Sequence, residues 1–246
     1  MKKLLKKITK KDWIYLAIIV VLIAAIATIT GMWLTGKPAV RTNKSYYEMK
    51  CYSFSVQNAN LSKGQIVFIG DSITDLYPLD TYYTGLNRAT YNRGIGGDVT
   101  QGVLDRLQVS VFDLAPSTVV LMIGINDLDG GRSNEYIASN YEKIVKEIRT
   151  KLPSTELLCM SVIPQHEKLE EYTWLRMENT IPQIKKLNVE IQRIAEENGA
   201  QYVDLFSAVK DDNDRLIKEY SDDGIHLNAN GFAVWTETLL PYLAKE

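Results

Sequence analysis

Short apolar segments alternate with longer segments of helical periodicity from about residue 65 to the end of the chain. Five apolar segments have the length, the β-branched residues and the flanking turn residues of buried strands. They lie at 65–69, 89–92, 118–123, 156–163 and 201–205. Apolar residues at helical spacing predict helices at 99–107, 134–151, 174–198 and 230–243. Strands that alternate with helices predict a three-layer α/β domain around a five-stranded parallel sheet.

The first 36 residues break this alternation. Six lysines and one aspartate lie in residues 1–12, and residues 13–36 contain no charged side chain. A helix over residues 13–34 would be about 33 Å long at ~1.5 Å per residue, enough to cross a hydrocarbon core of about 30 Å. We therefore predict a cytoplasmic basic segment at 1–12, a single-pass transmembrane anchor at 13–36 and an extracytoplasmic remainder. The alternative is a cleaved signal peptide, which would make the protein secreted.

Residues 37–64 are polar and aromatic, and we interpret them as a tether and lead-in to a domain at 65–246. The 246-residue chain is 46% hydrophobic and 24% charged, which excludes a disordered or low-complexity protein. Its net charge of −2 argues against nucleic-acid binding. Cys159 lies in an apolar segment and fits a lone core thiol better than a disulfide with Cys51. Because no Cys/His cluster has metal-ligand spacing, we expect no metal site.

Four polar clusters follow the predicted strands or precede the last helix. They are Gly70-Asp-Ser-Ile73, Asn92-Arg-Gly-Ile-Gly-Gly-Asp98, Gly124-Ile-Asn-Asp127 and Asp223-Gly-Ile-His226. Ligands of open parallel sheets bind beyond the carboxyl ends of the strands, so these clusters should line one edge of the sheet. Each cluster alone also has an ordinary structural explanation, as a helix cap, a turn or an exposed loop.

Together, the clusters supply the groups that acyl transfer requires. Ser72 is the candidate nucleophile, His226 the base that accepts its proton, and Asp223 the acid that orients the imidazole. The backbone N–H groups of Ser72 and Gly97 and the side-chain amide of Asn126 are candidate hydrogen-bond donors to the oxyanion. Gly97 has no Cβ, so a substrate can approach its backbone closely.

In this order, the four clusters resemble the motif blocks of the SGNH (GDSL-type) hydrolases. Residues 92–100 are particularly similar to the platelet-activating-factor acetylhydrolase-like and carbohydrate-esterase branches, and the resemblance extends over about residues 65–243. It implies a flavodoxin-like three-layer sandwich, a triad of Ser72, His226 and Asp223, and an oxyanion hole of Ser72, Gly97 and Asn126. It also implies that no metal or organic cofactor is needed. The N-terminal anchor is not part of the family pattern.

The residues and the resemblance both predict a serine esterase that acts through an acyl-serine intermediate. For an exported, membrane-anchored esterase we expect a short acyl ester, acetyl above all, with O-acetylated cell-surface polysaccharide as the substrate. The alternatives are a lysophospholipase or thioesterase at the membrane surface, and an acyltransferase in which another hydroxyl replaces water. A non-catalytic tethered binding protein and a nucleotide-binding flavodoxin-like protein rank behind them, because neither explains the Ser72, Asp223 and His226 set.

Aromatic side chains near the same edge have two interpretations. Tyr77, Tyr82 and Tyr83 follow the nucleophile, and Tyr172 and Trp174 lie in the segment after the fourth strand. These rings either stack on a sugar of the substrate or pack beneath the loops that carry them.

Overall fold

The computed structural model describes residues 15, 19–20, 44–166 and 180–244. Contacts divide the chain into two units, Met1–Ala39 and Val40–Glu246, and all the described residues after position 20 belong to the second. Within the described residues, no helix is both long enough and apolar enough to cross a membrane. The predicted basic segment and nearly all of the predicted anchor at 13–36 lie outside these residues, so the anchor stays a prediction.

A five-stranded sheet forms the centre of the second unit, and every pair of neighbouring strands is parallel. The strands are β1 Ile66–Gly70, β2 Thr90–Gly94, β3 Thr118–Met122, β4 Glu156–Met160 and β5 Gln201–Val203. Their order across the sheet is β2-β1-β3-β4-β5, the order of flavodoxin-like folds. All residues of β1 and β3 are buried, which requires cover on both faces of the sheet. The predicted five-stranded parallel sheet is therefore confirmed.

Helices connect and flank these strands. They are α1 Lys44–Asn58, α2 Ser72–Asp75, α3 Leu79–Tyr82, α4 Thr100–Asp105, α5 Leu107–Ser110, α6 Ile125–Asp129, α7 Asn134–Lys151, α8 Thr180–Glu197, α9 Phe206–Val209 and α10 Ala229–Leu243. Short 3₁₀ turns lie at Phe112–Leu114 and Lys218–Tyr220. Helix α7 has the predicted bounds, and α10 begins one residue before its prediction, after the capping side chain of Asn228.

One predicted helix is divided in the structure. The segment 99–107 forms α4 and α5, with Arg106 between them at φ −112° and ψ 13°. Arg106 is buried and its guanidinium donates to groups on other parts of the fold. Those partners are not visible in the local periodicity, which explains why the pattern predicts one continuous helix.

Helix α1 occupies much of the segment that the sequence predicts as tether and lead-in. Its Phe54 is buried in the domain, and the Tyr47 hydroxyl donates to the Gly102 carbonyl of α4 at 2.9 Å. At its last residue, the Asn58 side chain donates to the Val109 carbonyl of α5 at 2.7 Å. The described part of this segment is therefore packed against the domain.

Candidate active site

Ser72 lies at the turn from β1 into α2. The Asp71 carboxylate accepts a hydrogen bond from the Ile73 N–H at 3.0 Å and so caps the helix that Ser72 begins. The strand must end in glycine, because a Cβ on Gly70 would lie 2.3 Å from both the Met122 carbonyl oxygen and the Thr74 hydroxyl. The close packing of the strand ends thus fixes where the Ser72 side chain leaves the sheet.

A chain of hydrogen bonds connects Ser72 to the loop before α10. His226 Nε2 lies 2.9 Å from Ser72 Oγ, and His226 Nδ1 lies 2.6 Å from Asp223 Oδ2. The other carboxylate oxygen, Asp223 Oδ1, accepts the backbone N–H groups of Ile225 and His226, each at 2.8 Å. The residue that orients the imidazole also folds the loop that presents it.

Gly97 and Asn126 lie at the ends of the two strands beside β1. The Asp98 N–H donates to the Ile95 carbonyl at 3.1 Å, which closes a turn in which Gly97 has φ +74°. That backbone conformation favours glycine. The Asn126 side-chain amide donates to the Asp98 carbonyl at 2.9 Å, so this side chain is tied to the Gly97 turn.

The strand register explains why these groups meet. Gly70 at the end of β1 is paired with Gly94 of β2 and with Met122 of β3, so the three strands end at one level. The crevice between β1 and β3 is also the point where the strand order reverses, which is where open α/β sheets bind ligands. The structure therefore brings together all five residues that the sequence singles out for chemistry: Ser72, Gly97, Asn126, Asp223 and His226.

Comparisons with known proteins show which family carries these motifs. Residues 68–234, which contain all four clusters, match the GDSL-like lipase/acylhydrolase family. The chain belongs to this family. The predicted resemblance is confirmed, and the protein is a carboxylic ester hydrolase.

Among its relatives is platelet-activating factor acetylhydrolase IB subunit alpha2 of Rattus norvegicus. The two are 27% identical over 172 residues, which cover 68% of this chain and 71% of the relative. A solved structure from Streptococcus pneumonia, named for a platelet activating factor, is 27% identical with a TM-score of 0.75 and covers 89% of this chain and 99% of its own. An acetylxylan esterase from Geobacillus stearothermophilus shares the fold at 20% identity, with a TM-score of 0.58, and covers 76% of this chain and 97% of its own.

In this acylhydrolase, the buried Arg106 side chain connects the strand ends near Ser72 to the turn that contains Gly97. Its Nε donates to Asp98 Oδ2 at 2.7 Å, and both side chains are 1% exposed. Its two terminal nitrogens donate to the Gly70 carbonyl of β1 at 2.9 Å and the Arg93 carbonyl of β2 at 2.7 Å. Because the guanidinium is planar and offers several donors in fixed directions, one side chain locks two strand ends and the Gly97 turn together.

Burial also changes the acidity of the carboxyls on this side. Burial raises the pKa of Asp71 to about 7, against the opposing effect of the Ile73 N–H. Burial likewise raises the pKa of Asp127 to about 6, although Thr100 donates to it from its N–H at 2.8 Å and its hydroxyl at 2.9 Å. For Asp223, burial alone would raise the pKa, but the hydrogen bonds from the His226 ring and from two backbone N–H groups lower it below the usual value.

Three of the five aromatic residues, Tyr77, Tyr82 and Tyr83, pack beneath the loops near the site. Tyr77 is buried, stacks on Phe232 at 4.7 Å between ring centroids, and shares a 2.5 Å hydrogen bond with Thr236. Tyr83 is buried beside it and pairs with its hydroxyl at 2.9 Å. Tyr82 is partly buried, and its hydroxyl donates to the Ala229 carbonyl at 3.0 Å. These rings therefore hold the nucleophile segment against α10, whereas Tyr172 and Trp174 lie outside the described residues.

Several supporting residues escaped the sequence analysis. Asp98 and Asp127 stand inside the motifs, so their position was a signal even though no role followed from it. Arg106 had no such signal, since its partners lie on distant strands. Among the residues that the structure describes, no group of His, Cys, Asp and Glu could hold a metal ion. Cys51 and Cys159 are both free thiols, which agrees with the interpretation of Cys159 as a lone core residue.

Proposed function

We propose that this enzyme hydrolyses acetyl esters through an acyl intermediate on Ser72. The observation that carries the proposal is the continuous hydrogen-bond chain from Ser72 Oγ through the His226 ring to Asp223, at 2.9 and 2.6 Å. A serine hydroxyl is a weak nucleophile until a base accepts its proton, and an imidazole needs a second group to fix its tautomer. Both requirements are met by the side chains in contact here.

In the first step, Ser72 Oγ attacks the ester carbonyl carbon while His226 Nε2 takes the hydroxyl proton. Asp223 holds the proton on Nδ1 and stabilises the imidazolium that forms. The Ser72 and Gly97 N–H groups and the Asn126 amide donate to the tetrahedral oxyanion. When the intermediate collapses, the carbon–oxygen bond to the leaving group breaks, and His226 gives its proton to the departing alkoxide.

The second step repeats this sequence with water. His226 accepts a proton from water as the water oxygen attacks the acyl carbon on Ser72. The new tetrahedral intermediate uses the same donors, and its collapse breaks the bond to Ser72 Oγ. His226 returns the proton to Ser72, so the products are one carboxylic acid, one alcohol and the free enzyme.

Two relatives are named for acetyl esters, which favours acetyl as the acyl group: the platelet-activating factor acetylhydrolase subunit and the acetylxylan esterase. The predicted anchor at 13–36 favours a site outside the cytoplasm, on the membrane or secreted after cleavage. O-acetylated polysaccharide at the cell surface is then the proposed substrate. Short-chain phospholipid esters, and transfer of the acyl group to another hydroxyl, are the alternatives that the test must separate.

The test uses the full-length chain in a non-ionic detergent with p-nitrophenyl acetate, butyrate and octanoate. We expect acetate to be the best ester, and Ser72→Ala to lower kcat by about 10⁵-fold or more, as in other serine hydrolases. Exposed Ser207 gives the matched control, because Ser207→Ala removes the same hydroxyl from a serine other than the one that is hydrogen-bonded to His226, and should keep full activity. Hydrolysis that survives in Ser72→Ala would refute the mechanism.

The substrate is then identified by product analysis. Acetylated xylan should release acetate faster than an acetylated phospholipid in detergent micelles. The opposite ratio, or a preference for octanoate, would replace polysaccharide by lipid. Acetate that appears on an added sugar hydroxyl instead of in solution would identify an acyltransferase.

A further inference from the structure

Asp75 connects three parts of the molecule, one helical turn after Ser72. Its Oδ2 accepts the Tyr46 hydroxyl at 2.7 Å and the Gly96 N–H at 3.0 Å. Its Oδ1 accepts the Lys50 ammonium at 2.7 Å. One carboxylate thus joins α1, the nucleophile helix and the turn that carries Gly97.

The hydrogen bond from the Gly96 N–H to Asp75 holds the second residue of that turn in place. A hydrogen bond from the Asp98 N–H to the Ile95 carbonyl closes the turn, and Gly97, its third residue, has φ +74°. In a turn of this kind the central peptide, here between Gly96 and Gly97, can flip without breaking the closing bond. That peptide carries the Gly97 N–H. An anchor on Gly96 therefore limits the direction in which the Gly97 N–H points.

The surroundings of Asp75 keep this anchor in place. Asp75 and Lys50 are mostly buried, with side chains 15% and 23% exposed, so water competes little for their ion pair. Burial and the Asp75 contact raise the pKa of Tyr46 to about 12, so its hydroxyl stays protonated and donates. Backbone packing adds to this: a Cβ on Gly94 would lie 2.2 Å from the Asp75 nitrogen, which shows how closely α2 approaches the end of β2.

We propose that Asp75 is a positioning residue for the oxyanion hole, and that α1 acts through it. Tyr46 and Lys50 hold the carboxylate, the carboxylate holds the Gly96 N–H, and the Gly97 N–H is thereby aimed at the developing oxyanion. This inference rests on the proposed function, where Gly97 is assigned as an oxyanion donor. It makes α1, which precedes every family motif, a working part of the active site.

A purely structural role has a different signature. If Asp75 only fastened α1 to the domain, its loss would lower stability and leave the chemistry of the folded enzyme unchanged. An oxyanion donor acts mainly in the transition state, so a misdirected Gly97 N–H lowers kcat and leaves KM nearly constant. It should also weaken the binding of an inhibitor that forms an oxyanion, such as a trifluoromethyl ketone.

Three variants of the full-length chain separate these roles on p-nitrophenyl acetate. Loss of a whole oxyanion donor costs about 100-fold to 1,000-fold in kcat, so for a displaced donor in Asp75→Asn we expect about 10-fold to 100-fold, with KM within about twofold. For the milder Tyr46→Phe we expect a decrease of about twofold to tenfold in kcat and a parallel loss of ketone affinity. Tyr46→Phe also carries the test if Asp75→Asn folds poorly.

Tyr47 provides the matched control. Its hydroxyl also joins α1 to the domain, but the acceptor is the Gly102 carbonyl and not Asp75. Tyr47→Phe should lower Tm about as much as Tyr46→Phe while kcat and the ketone Ki stay within about twofold of the parent. If Tyr46→Phe and Asp75→Asn also keep their kcat and Ki, the positioning role is refuted. A parent enzyme without Ser72-dependent hydrolysis would instead refute the proposed function.

Discussion

Ser72 stands at the end of a strand whose residues are all buried, whereas the side chains of His226 and Asp223 are 31% and 46% exposed in a loop. The nucleophile side is held by contacts between residues far apart in sequence, such as Arg106 with Gly70. The histidine side is held mainly by bonds between close neighbours in sequence, from the Ile225 and His226 N–H groups to Asp223, with one long-range bond from the His166 N–H to the Gly224 carbonyl at 2.8 Å. The same site is therefore built by long-range packing on one side and largely by local loop geometry on the other.

Because of this difference, substitutions on the two sides of the site should affect stability and catalytic activity to different extents. A long-range buried contact contributes to the free energy of unfolding and to the geometry of the site at once. A local contact in a half-exposed loop contributes mainly to the orientation of the imidazole. Substitutions on the histidine side should thus lower activity with little loss of stability, and substitutions beneath the nucleophile should lower both.

The largest expected effect is that of Asp223→Asn on kcat. An asparagine oxygen can still accept the backbone N–H groups of Ile225 and His226, but its amide N–H opposes the proton on His226 Nδ1. The wrong imidazole tautomer lowers kcat by about 10⁴-fold in serine proteases, and we expect a similar loss on p-nitrophenyl acetate.

The adjacent Asp222 is exposed and provides the matched control. Asp222→Asn makes the same chemical change one residue away and should leave kcat within about twofold, since the carboxylate that contacts His226 Nδ1 is that of Asp223. A Tm of Asp223→Asn far below that of the parent would break the proposed separation of chemistry from stability. Full activity in Asp223→Asn would show that the carboxylate is not needed.

The next effect is that of Arg106→Met on stability. This substitution leaves the buried Asp98 carboxylate without its ion pair and removes the donors to two strand-end carbonyls. Breaking a buried ion pair on one side costs about 3–5 kcal/mol in the free energy of unfolding. Urea denaturation should reveal the loss, and kcat of the folded variant should fall as well.

Exposed Arg193 gives the comparison for this experiment. It pairs with Glu190 and Glu197 on the surface of α8, where the side chains are about half exposed. Arg193→Met should cost far less stability than Arg106→Met and leave kcat unchanged, because exposed ion pairs contribute little. Equal losses in the two arginine variants would contradict the distinction between the two kinds of contact.

The smallest expected effect concerns pH and Asp71. Burial raises the pKa of this carboxyl to about 7 in the folded state, whereas the unfolded chain has the usual aspartate pKa of 3.8. The folded state therefore binds more protons between these values, and the free energy of unfolding contributed by Asp71 falls as pH rises from about 4 to 7. We expect the parent to lose about 1–3 kcal/mol more over this range than Asp71→Asn, by urea denaturation.

For Asp223, the pH dependence of the free energy of unfolding should have the opposite sign. Its folded-state pKa is lowered, so its stabilising contribution is present above the unfolded pKa and is lost as pH falls further. Identical pH slopes for the parent and Asp71→Asn between pH 4 and 7 would contradict the assigned shift of the buried carboxyl.

The sheet could be predicted because its strands carry their own signal. Residues 118–122 combine β-branched and apolar side chains, and the structure ends β3 within one residue of the prediction. The motif clusters could be placed because parallel strands end at one edge, which the register of Gly70 with Gly94 and Met122 reproduces. The five residues with proposed chemistry could therefore be predicted from the sequence alone.

The packing of helix α1 against the domain could not be predicted from the sequence in the same way. Its contacts with the domain include the polar ends of Tyr46, Tyr47 and Asn58, and hydrophobic periodicity does not report such bonds. Arg106 was missed for a related reason, since its burial depends on acceptors from two strands and a turn. Long-range polar contacts are where local patterns carry least information.

The position of α1 has a practical consequence for how this enzyme is divided. The family match begins at residue 68, after α1 has ended at Asn58. A recombinant fragment cut at the family boundary would keep every motif residue but lose Tyr46 and Lys50, the two side chains that reach Asp75. Recombinant fragments should begin before Lys44, because the functional unit starts upstream of the sequence signature by which it is recognised.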